Sequence, residues 1–275
     1  MTETTRAGTT SSRVRPEILA YYGRGEEDGR LRSGAGLLEF WRTQDVLRRV
    51  LPAAPARVLD VGGGSGVHAE WLAGDGYRVE LVDPVPLHVE QASELPGVTA
   101  RLGDARSLDA ADGSVDAVLL LGPLYHLPER EERLAALREA RRVVRPGGAV
   151  VLATINRFAG LHDTIRQGVF FEGPERRALI EAAATDGVNR ISERQMFTTA
   201  YFHQPEAVVE ESTEAGLTVL GQYGVEGAAW LMPDCAENLA DPERRGPLLA
   251  AVRRTESVPS LLGVSGHLLT VGTVN

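Results

Sequence analysis

The chain has 275 residues, a net charge of −9 and a pI near 5.3. That length suits one large α/β domain with insertions, or one domain with a small lid. The acidic balance speaks against a nucleic-acid binder, which carries a basic surface. All 29 basic residues are arginine, so chemistry that needs a lysine is excluded: a Schiff base, a phosphate-loop lysine or a Tyr-x-x-x-Lys couple. Cys235 is the single cysteine, which rules out an internal disulfide and a cysteine-based metal cluster. No basic-then-apolar leader pattern opens the chain and no apolar run reaches bilayer length, so a soluble cytoplasmic protein without membrane partners is expected.

Residues 1–13 are polar, rich in Thr and Ser, and are expected to form a disordered tail. Residues 14–52 read as an N-terminal helical cap. Between Glu17 and Val50, Leu37, Leu38, Trp41, Val46 and Leu47 share an apolar face, and Pro52 and Pro55 end the pattern. Strands and helices then alternate. Strands are predicted at Arg57–Gly62, Arg78–Val82, Val98–Leu102, Val115–Leu121 and Ala149–Ile155. Helices are predicted at Val67–Ala73, Leu87–Ala92 and Arg130–Val144, the last stopped by Arg145-Pro146-Gly147-Gly148. Continuous apolar strands alternating with helices predict an α/β fold with a parallel sheet covered on both faces. Ligands in such sheets bind at the carboxyl ends of the strands.

The alternation breaks after Asn156. Residues 157–204 are expected to be a lid or substrate insertion between two parts of the core, 53–156 and 205–275. In the second part a helix is predicted at Pro205–Ala215. Leu217–Tyr223 and His267–Val274 read as a terminal antiparallel pair of strands, with a helix at Leu248–Arg254 between them.

The segment Val58-Leu59-Asp60-Val61-Gly62-Gly63-Gly64-Ser65-Gly66 runs a strand into a glycine-rich turn and then a helix. Glycines let the backbone bend sharply and let a ligand approach the main chain, at an entropic cost that a bare turn does not warrant. The helix start adds unpaired N–H groups. Two ligands fit this loop. Gly64-Ser65-Gly66-Val67-His68-Ala69 matches the dinucleotide pattern G-x-G-x-x-A, with Asp83 about twenty residues on. Asp60, Gly62, Gly64 and Gly66 instead form an acidic residue followed by alternating glycines.

That second pattern resembles motif I of the class I S-adenosylmethionine-dependent methyltransferases. The resemblance covers roughly residues 57–156 and extends to later motifs. Asp83 and Pro84 close the second strand, where the family places an acidic residue on the ribose hydroxyls. Gly103-Asp104-Ala105 follows the third strand, where the family holds adenine, with Asp104 accepting from its amine. Leu121-Gly122-Pro123-Leu124-Tyr125-His126-Leu127 looks like motif IV, and Arg145-Pro146-Gly147-Gly148 like the post-motif turn. The resemblance implies a doubly wound, mostly parallel seven-stranded sheet of the Rossmann-like methyltransferase type, with N-terminal helices and a lid after the fifth strand. It implies S-adenosylmethionine as cofactor, held by Asp60, Gly62, Gly63, Gly64, Gly66, Asp83, Pro84, Gly103, Asp104, Ala105 and Leu121. It also implies transfer of a methyl group to a small-molecule O, N or C acceptor by a monomer or homodimer. The arginine-only, alanine-rich composition adds a link to bacterial secondary metabolism. Two other readings are a non-catalytic S-adenosylmethionine-binding subunit and an NAD(P)-binding oxidoreductase. For the latter, position 129, four after Tyr125, is Glu rather than Lys.

His126, beside motif IV, is the first candidate general base, or else a structural histidine at a helix start. His203 is the second. Tyr125, Tyr201 and Phe202 are candidate substrate contacts, or packing residues that anchor the insertion. Tyr22 is expected to fold over the cofactor. Arg42 is a candidate fork for the methionine carboxylate, or a solvent-facing helix residue. Trp71 reads as core packing, and His68 carries no assignment. His162, Asp163 and Glu172 are too dispersed for a metal site, and no metal is expected.

Overall fold

The computed structural model describes residues 14–23, 25, 27–190 and 197–275; the expected disordered tail at 1–13 lies outside them. Helices α1 (Pro16–Tyr22), α2 (Glu27–Arg30) and α3 (Gly36–Val50) precede the core. Then come β1 (Arg57–Val61), α4 (Val67–Gly74), β2 (Arg78–Asp83), α5 (Pro86–Ser93), β3 (Val98–Leu102), β4 (Val115–Leu120), α6 (Arg130–Val143) and β5 (Val144–Ile155). The region after β5 holds α7 (Ala159–Gln167), α8 (Pro174–Asp186) and a short antiparallel ladder of β6 (Val188–Asn189) and β7 (Ala200–Tyr201). The chain closes with α9 (Pro205–Glu214), β8 (Thr218–Gly224), α10 (Cys235–Ala240), α11 (Pro242–Thr255), α12 (Pro259–Leu262) and β9 (His267–Thr273).

The main sheet has seven strands in the order β3-β2-β1-β4-β5-β9-β8. β1 to β5 pair in parallel, and β9 runs antiparallel to both β5 and β8. This is the doubly wound sheet expected of the sequence. Alternate residues of each strand feed opposite faces. Leu59, Val61, Val118, Leu120 and Leu152 pack with α6 and α9 on one side. Val58, Leu81, Leu119, Val151 and Val271 pack with α3 and α4 on the other. Two-sided burial explains the unbroken apolar runs.

Two differences from expectation matter. β5 begins at Val144, with a register shift against β4 between Val115 and Ala117. The Pro-Gly-Gly turn is thus the irregular opening of the strand as well as the end of α6. The β8–β9 crossover holds three helices rather than one. Pro242, Pro247 and the short lengths of α10 and α12 hide their periodicity. Leu38 of α3 packs there against Ala229, Cys235, Leu239 and Val252. Among the described residues no helix is long and apolar enough to cross a membrane.

A buried charged knot fastens α6 to α9. Arg133 gives two nitrogens to Glu211, at 2.6 and 2.9 Å, and a third to the carbonyls of Leu127 and Pro128. Its guanidinium lies 3.8 Å from the Tyr201 ring centroid. Burial alone would raise the Glu211 pKa, but hydrogen bonds from His203 and Arg133 outweigh it and hold the carboxyl at about 2. Removing one member of such a pair strands the other charge. Arg133→Ala is therefore expected to cost about 3–5 kcal/mol of stability, read as a lowered urea midpoint at unchanged m-value.

Candidate active site

The β1–β4 boundary is where the strand order reverses, and a cleft opens there at the carboxyl ends of the strands. It encloses about 1350 Å³, counting space open to solvent.

The glycine loop forms the floor. Gly62 and Gly64 sit at φ +69° and +60°, in the left-handed region that disfavours other residues. A Cβ on Gly62 would stand 2.6 Å from Pro123 Cγ, so the β1 and β4 loops can touch only if this residue is glycine. Gly63 also lines the cleft, and its Cβ would meet Asp60 Oδ2 at 2.6 Å.

Asp60 lies on the same face as Val58, is 1% exposed, and has no hydrogen-bond partner on either carboxylate oxygen. Burial, and then the neighbouring Asp83 carboxylate, push its pKa up to about 7. Asp83 braces the loop. Its Oδ2 accepts from the Gly64 N–H at 3.0 Å, and its Oδ1 from the Val85 N–H at 2.9 Å and faces His88 Nδ1 at 3.0 Å. A carboxylate has about four lone-pair sites, so Asp83 keeps capacity for a ribose hydroxyl. Pro84, Gly103, Asp104, Ala105 and Leu121 line the cleft. Asp104 holds Arg106 with both oxygens, at 2.9 and 2.6 Å.

Tyr22, Tyr125 and His126 also reach the cleft. The Tyr22 hydroxyl and His126 Nε2 are 2.7 Å apart, which fastens α1 to the turn after β4. Burial drives the His126 pKa down to about 4, against opposing contributions from the Thr199 backbone and Asp83. With its Nε2 taken by Tyr22, His126 has an anchoring part in this geometry.

Several expected site residues lie off the cleft. Arg42 is 1% exposed; its guanidinium is taken by Asp45 and Glu256, and its Nε donates to the Val225 carbonyl at 3.2 Å. It ties α3 to the β8–β9 crossover and is not a carboxylate fork. His203 is buried between β5 and α9, with Nε2 3.5 Å from Glu211 and a backbone bridge to Asn156. Burial lowers its pKa, more than Glu211 raises it. Tyr201 stacks beneath Arg133, and Phe202 packs with Tyr125, Ile155 and Ala159, so both anchor the insertion rather than line the cleft. Gly66 caps α4, where a Cβ would meet Leu95 at 2.5 Å; it shapes the loop from behind. Trp71 packs in the core, as expected.

Other residues complete the cleft without having been read from the sequence. His88 has a buried, unpartnered Nε2, and Glu132 a buried, unpartnered Oε2. His88 follows Asp83 by five residues on a proline-led helix, a local signal that could have found it. Glu39 and His267 line the far wall, and with Glu226 they bring ligand-type atoms within 4.8 Å of one another. Those three come from α3, the crossover and β9, and no local pattern joins them.

Residues 59–152, from β1 to β5, match the family described as a methyltransferase domain. A Mycobacterium tuberculosis protein named only as an uncharacterized methyltransferase is 36% identical over 163 residues, covering 57% of this chain and 60% of that protein. The ubiquinone biosynthesis O-methyltransferase of Xanthomonas oryzae pv. oryzae is 36% identical over 120 residues, covering 41% of this chain and 48% of that enzyme. The chain thus spans less than two thirds of these relatives. A solved complex of the Haloferax volcanii Trm112 methyltransferase activator with a putative methyltransferase matches in fold, with a TM-score of 0.59 at 21% identity over 95% of this chain and 99% of that one.

The cofactor of such domains is S-adenosylmethionine, and the polar groups of the cleft fit it. Asp60 would hold a cationic group, His88 Nε2 and Asp83 a ribose hydroxyl, and Glu132 or Asp104 an exocyclic amine. With Nδ1–H donated to Asp83, His88 Nε2 keeps the lone pair that a hydroxyl needs.

A carboxyl held near 7 has a consequence for binding. Between the ordinary carboxylate pKa and about 7 the folded chain holds a proton on Asp60 that the unfolded chain has lost, so this group lowers stability as pH rises through that window. A cation bound there favours the ionised form. S-adenosylmethionine affinity is therefore expected to rise from pH 6 to pH 8, with proton release seen as a buffer-dependent binding heat. Asp60→Asn is expected to abolish that dependence and weaken binding about tenfold to a hundredfold. Calorimetry in two buffers measures both.

Proposed function

We propose that this protein transfers the methyl group of S-adenosylmethionine to a small-molecule acceptor, in bacterial secondary metabolism. The observation that carries this reading is the single cleft shared by the glycine loop, the unpartnered Asp60 and a second wall beyond it, built from Glu39, Val225, His267 and Leu269. The lining of this second wall is largely separate from that of the glycine loop, which supports an acceptor site beside the cofactor. The net charge of −9 agrees with an uncharged or cationic partner better than with RNA or DNA.

When bound, the cofactor supplies an electrophilic methyl on a sulfonium. The chain's own contribution is placement. Asp60 and the glycine loop fix one end of the cofactor, Asp83 and His88 the sugar, and Asp104, Ala105 and Glu132 the base. Alignment of this kind can supply several kcal/mol of a displacement barrier. The Tyr22–His126 contact lays α1 against the cleft and limits entry of water.

Calorimetry should give one site for S-adenosylmethionine and one competing site for S-adenosylhomocysteine. Turnover, read as S-adenosylhomocysteine release, is expected with members of a small-metabolite library and not with bulk tRNA or denatured protein. Binding without release from any acceptor would leave a cofactor-binding subunit. No binding of either ligand would overturn the reading.

A further inference from the structure

The wall opposite the glycine loop is chemically specific. His267 opens β9, pairs with Ile155 at the carboxyl end of β5, and lines the same cleft as Asp60 and Gly63. Its Nδ1 lies 2.6 Å from Glu226 Oε1. Glu226 is itself fixed. Its Oε2 accepts from Ser265 Oγ at 2.8 Å and from the His267 backbone N–H at 2.8 Å. Ser265 Oγ in turn accepts from the backbone N–H groups of Glu226 and Gly227. Rotation of either side chain would break several buried hydrogen bonds, so the ring is held in one orientation.

That orientation sets the tautomer. A carboxylate on Nδ1 keeps a proton there, so in the neutral ring the lone pair is on Nε2. Among the described residues nothing bonds Nε2. A second carboxylate, Glu39 of α3, stands 3.7 Å from Nδ1 and is gripped by Arg30 at 2.7 and 3.2 Å. His68 of α4 faces the same cluster and stays neutral, since burial holds its pKa at about 4.

We propose, on the reading of the domain as a methyltransferase, that His267 is the general base of the reaction, oriented by Glu226, and that the acceptor is a neutral phenolic hydroxyl. The step balances. The hydroxyl proton passes to Nε2 as the oxygen lone pair forms the new O–C bond. The C–S bond breaks with its electron pair returning to sulfur, and His267 is left as imidazolium between two carboxylates.

The surroundings select the acceptor. Arg30, Glu39 and Glu226 are already paired with one another or with His267, so this wall offers no spare charge to a charged acceptor. Leu31, Val225 and Leu269 make the adjoining surface apolar. An uncharged ring with one hydroxyl matches both facts. A phenol, with a pKa near 10 as in tyrosine, also needs a base to become a good nucleophile at neutral pH. Burial lowers the His267 pKa, but Glu39 and Glu226 together override it and raise it to about 9, so the neutral, proton-accepting ring is a fraction that grows as pH rises toward that value.

The test uses the full chain. Histidine-selective NMR, with the His267 signal identified by its loss in His267→Gln, should show this ring titrating at about 9, and Glu226→Gln should move it down toward the ordinary histidine value. S-adenosylhomocysteine release with a library of substituted phenols should fall at least a hundredfold in His267→Gln, while S-adenosylmethionine binding by calorimetry stays within threefold. Wild-type kcat/KM should rise with pH up to about 9, and phenols acidic enough to be ionised at the assay pH should recover part of the loss in His267→Gln. The proposal fails if His267 titrates at or below the ordinary value. It fails if His267→Gln turns over within threefold of wild type, or if the wild type binds cofactor and methylates amines or polymers but no phenol. Tight Mg2+, Mn2+ or Zn2+ binding that restores turnover lost to a chelator would assign the trio to a metal instead. Failure to bind S-adenosylmethionine at all would sink the methyltransferase reading, while the NMR titration would still judge the Glu226–His267 pair.

Discussion

Two carboxylates meet at the point where the sheet reverses its order, and among the described residues no cation pairs with Asp60. Asp60 is the penultimate residue of β1 and Asp83 ends β2. The glycine loop that Asp83 braces is packed so closely that Asp60 sits against it without a hydrogen bond. The arrangement costs stability once Asp60 ionises, because a buried charge without a partner is expensive. The same deficit makes the cleft selective. A cationic ligand relieves it, and a neutral or anionic one at that position does not. The glycines serve this arrangement as much as they serve a ligand. Gly63 leaves room for the Asp60 carboxylate, and Gly62 lets the β1 and β4 loops come into contact.

The far wall follows the opposite rule. Arg30, Glu39, His267 and Glu226 pair with one another, and their geometry depends on a tie made elsewhere. Arg42 joins α3 to the β8–β9 crossover through Glu256 and the Val225 carbonyl, one residue before Glu226. Glu39 lies one helical turn before Arg42 on the same helix. A buried, multiply bonded arginine therefore sets the distance between Glu39 and the Glu226–His267 pair. It does for the acceptor side what Asp83 does for the cofactor side, and it reaches neither ligand itself.

How much of this was legible follows from how local each signal is. The parallel sheet, the loop from Asp60 to Gly66 and the acidic residues after β2 and β3 are carried by runs of adjacent residues, and the structure places them together. Arg42, His203, Tyr201 and Phe202 misled for one reason. Each has a side chain suited to a ligand, and each spends it on a buried partner from a distant segment: Glu256, Glu211, Arg133 and Tyr125. Sequence spacing does not show such pairs. The residues that were missed have the converse history. Glu39, Glu226 and His267 are ordinary in their own segments and acquire a role only when α3, the crossover and β9 converge. The crossover itself was under-read because prolines cut its helices too short to show a period.

The two histidines on the cleft show why residue type alone could not settle the chemistry. His126 stands beside motif IV, and the sequence makes it the obvious base. Its neighbours are Tyr22, Tyr125 and Phe197, rings that desolvate it without offering a counter-charge, so its charged form is penalised. His267 is also buried, yet two carboxylates from separate elements face its Nδ1, and its charged form is favoured. The charged ring is therefore favoured at His267 and disfavoured at His126. The same burial acts on both rings, and the difference lies in which segments the fold brings alongside. That difference follows from the β8–β9 crossover, the part of the chain least marked by any motif.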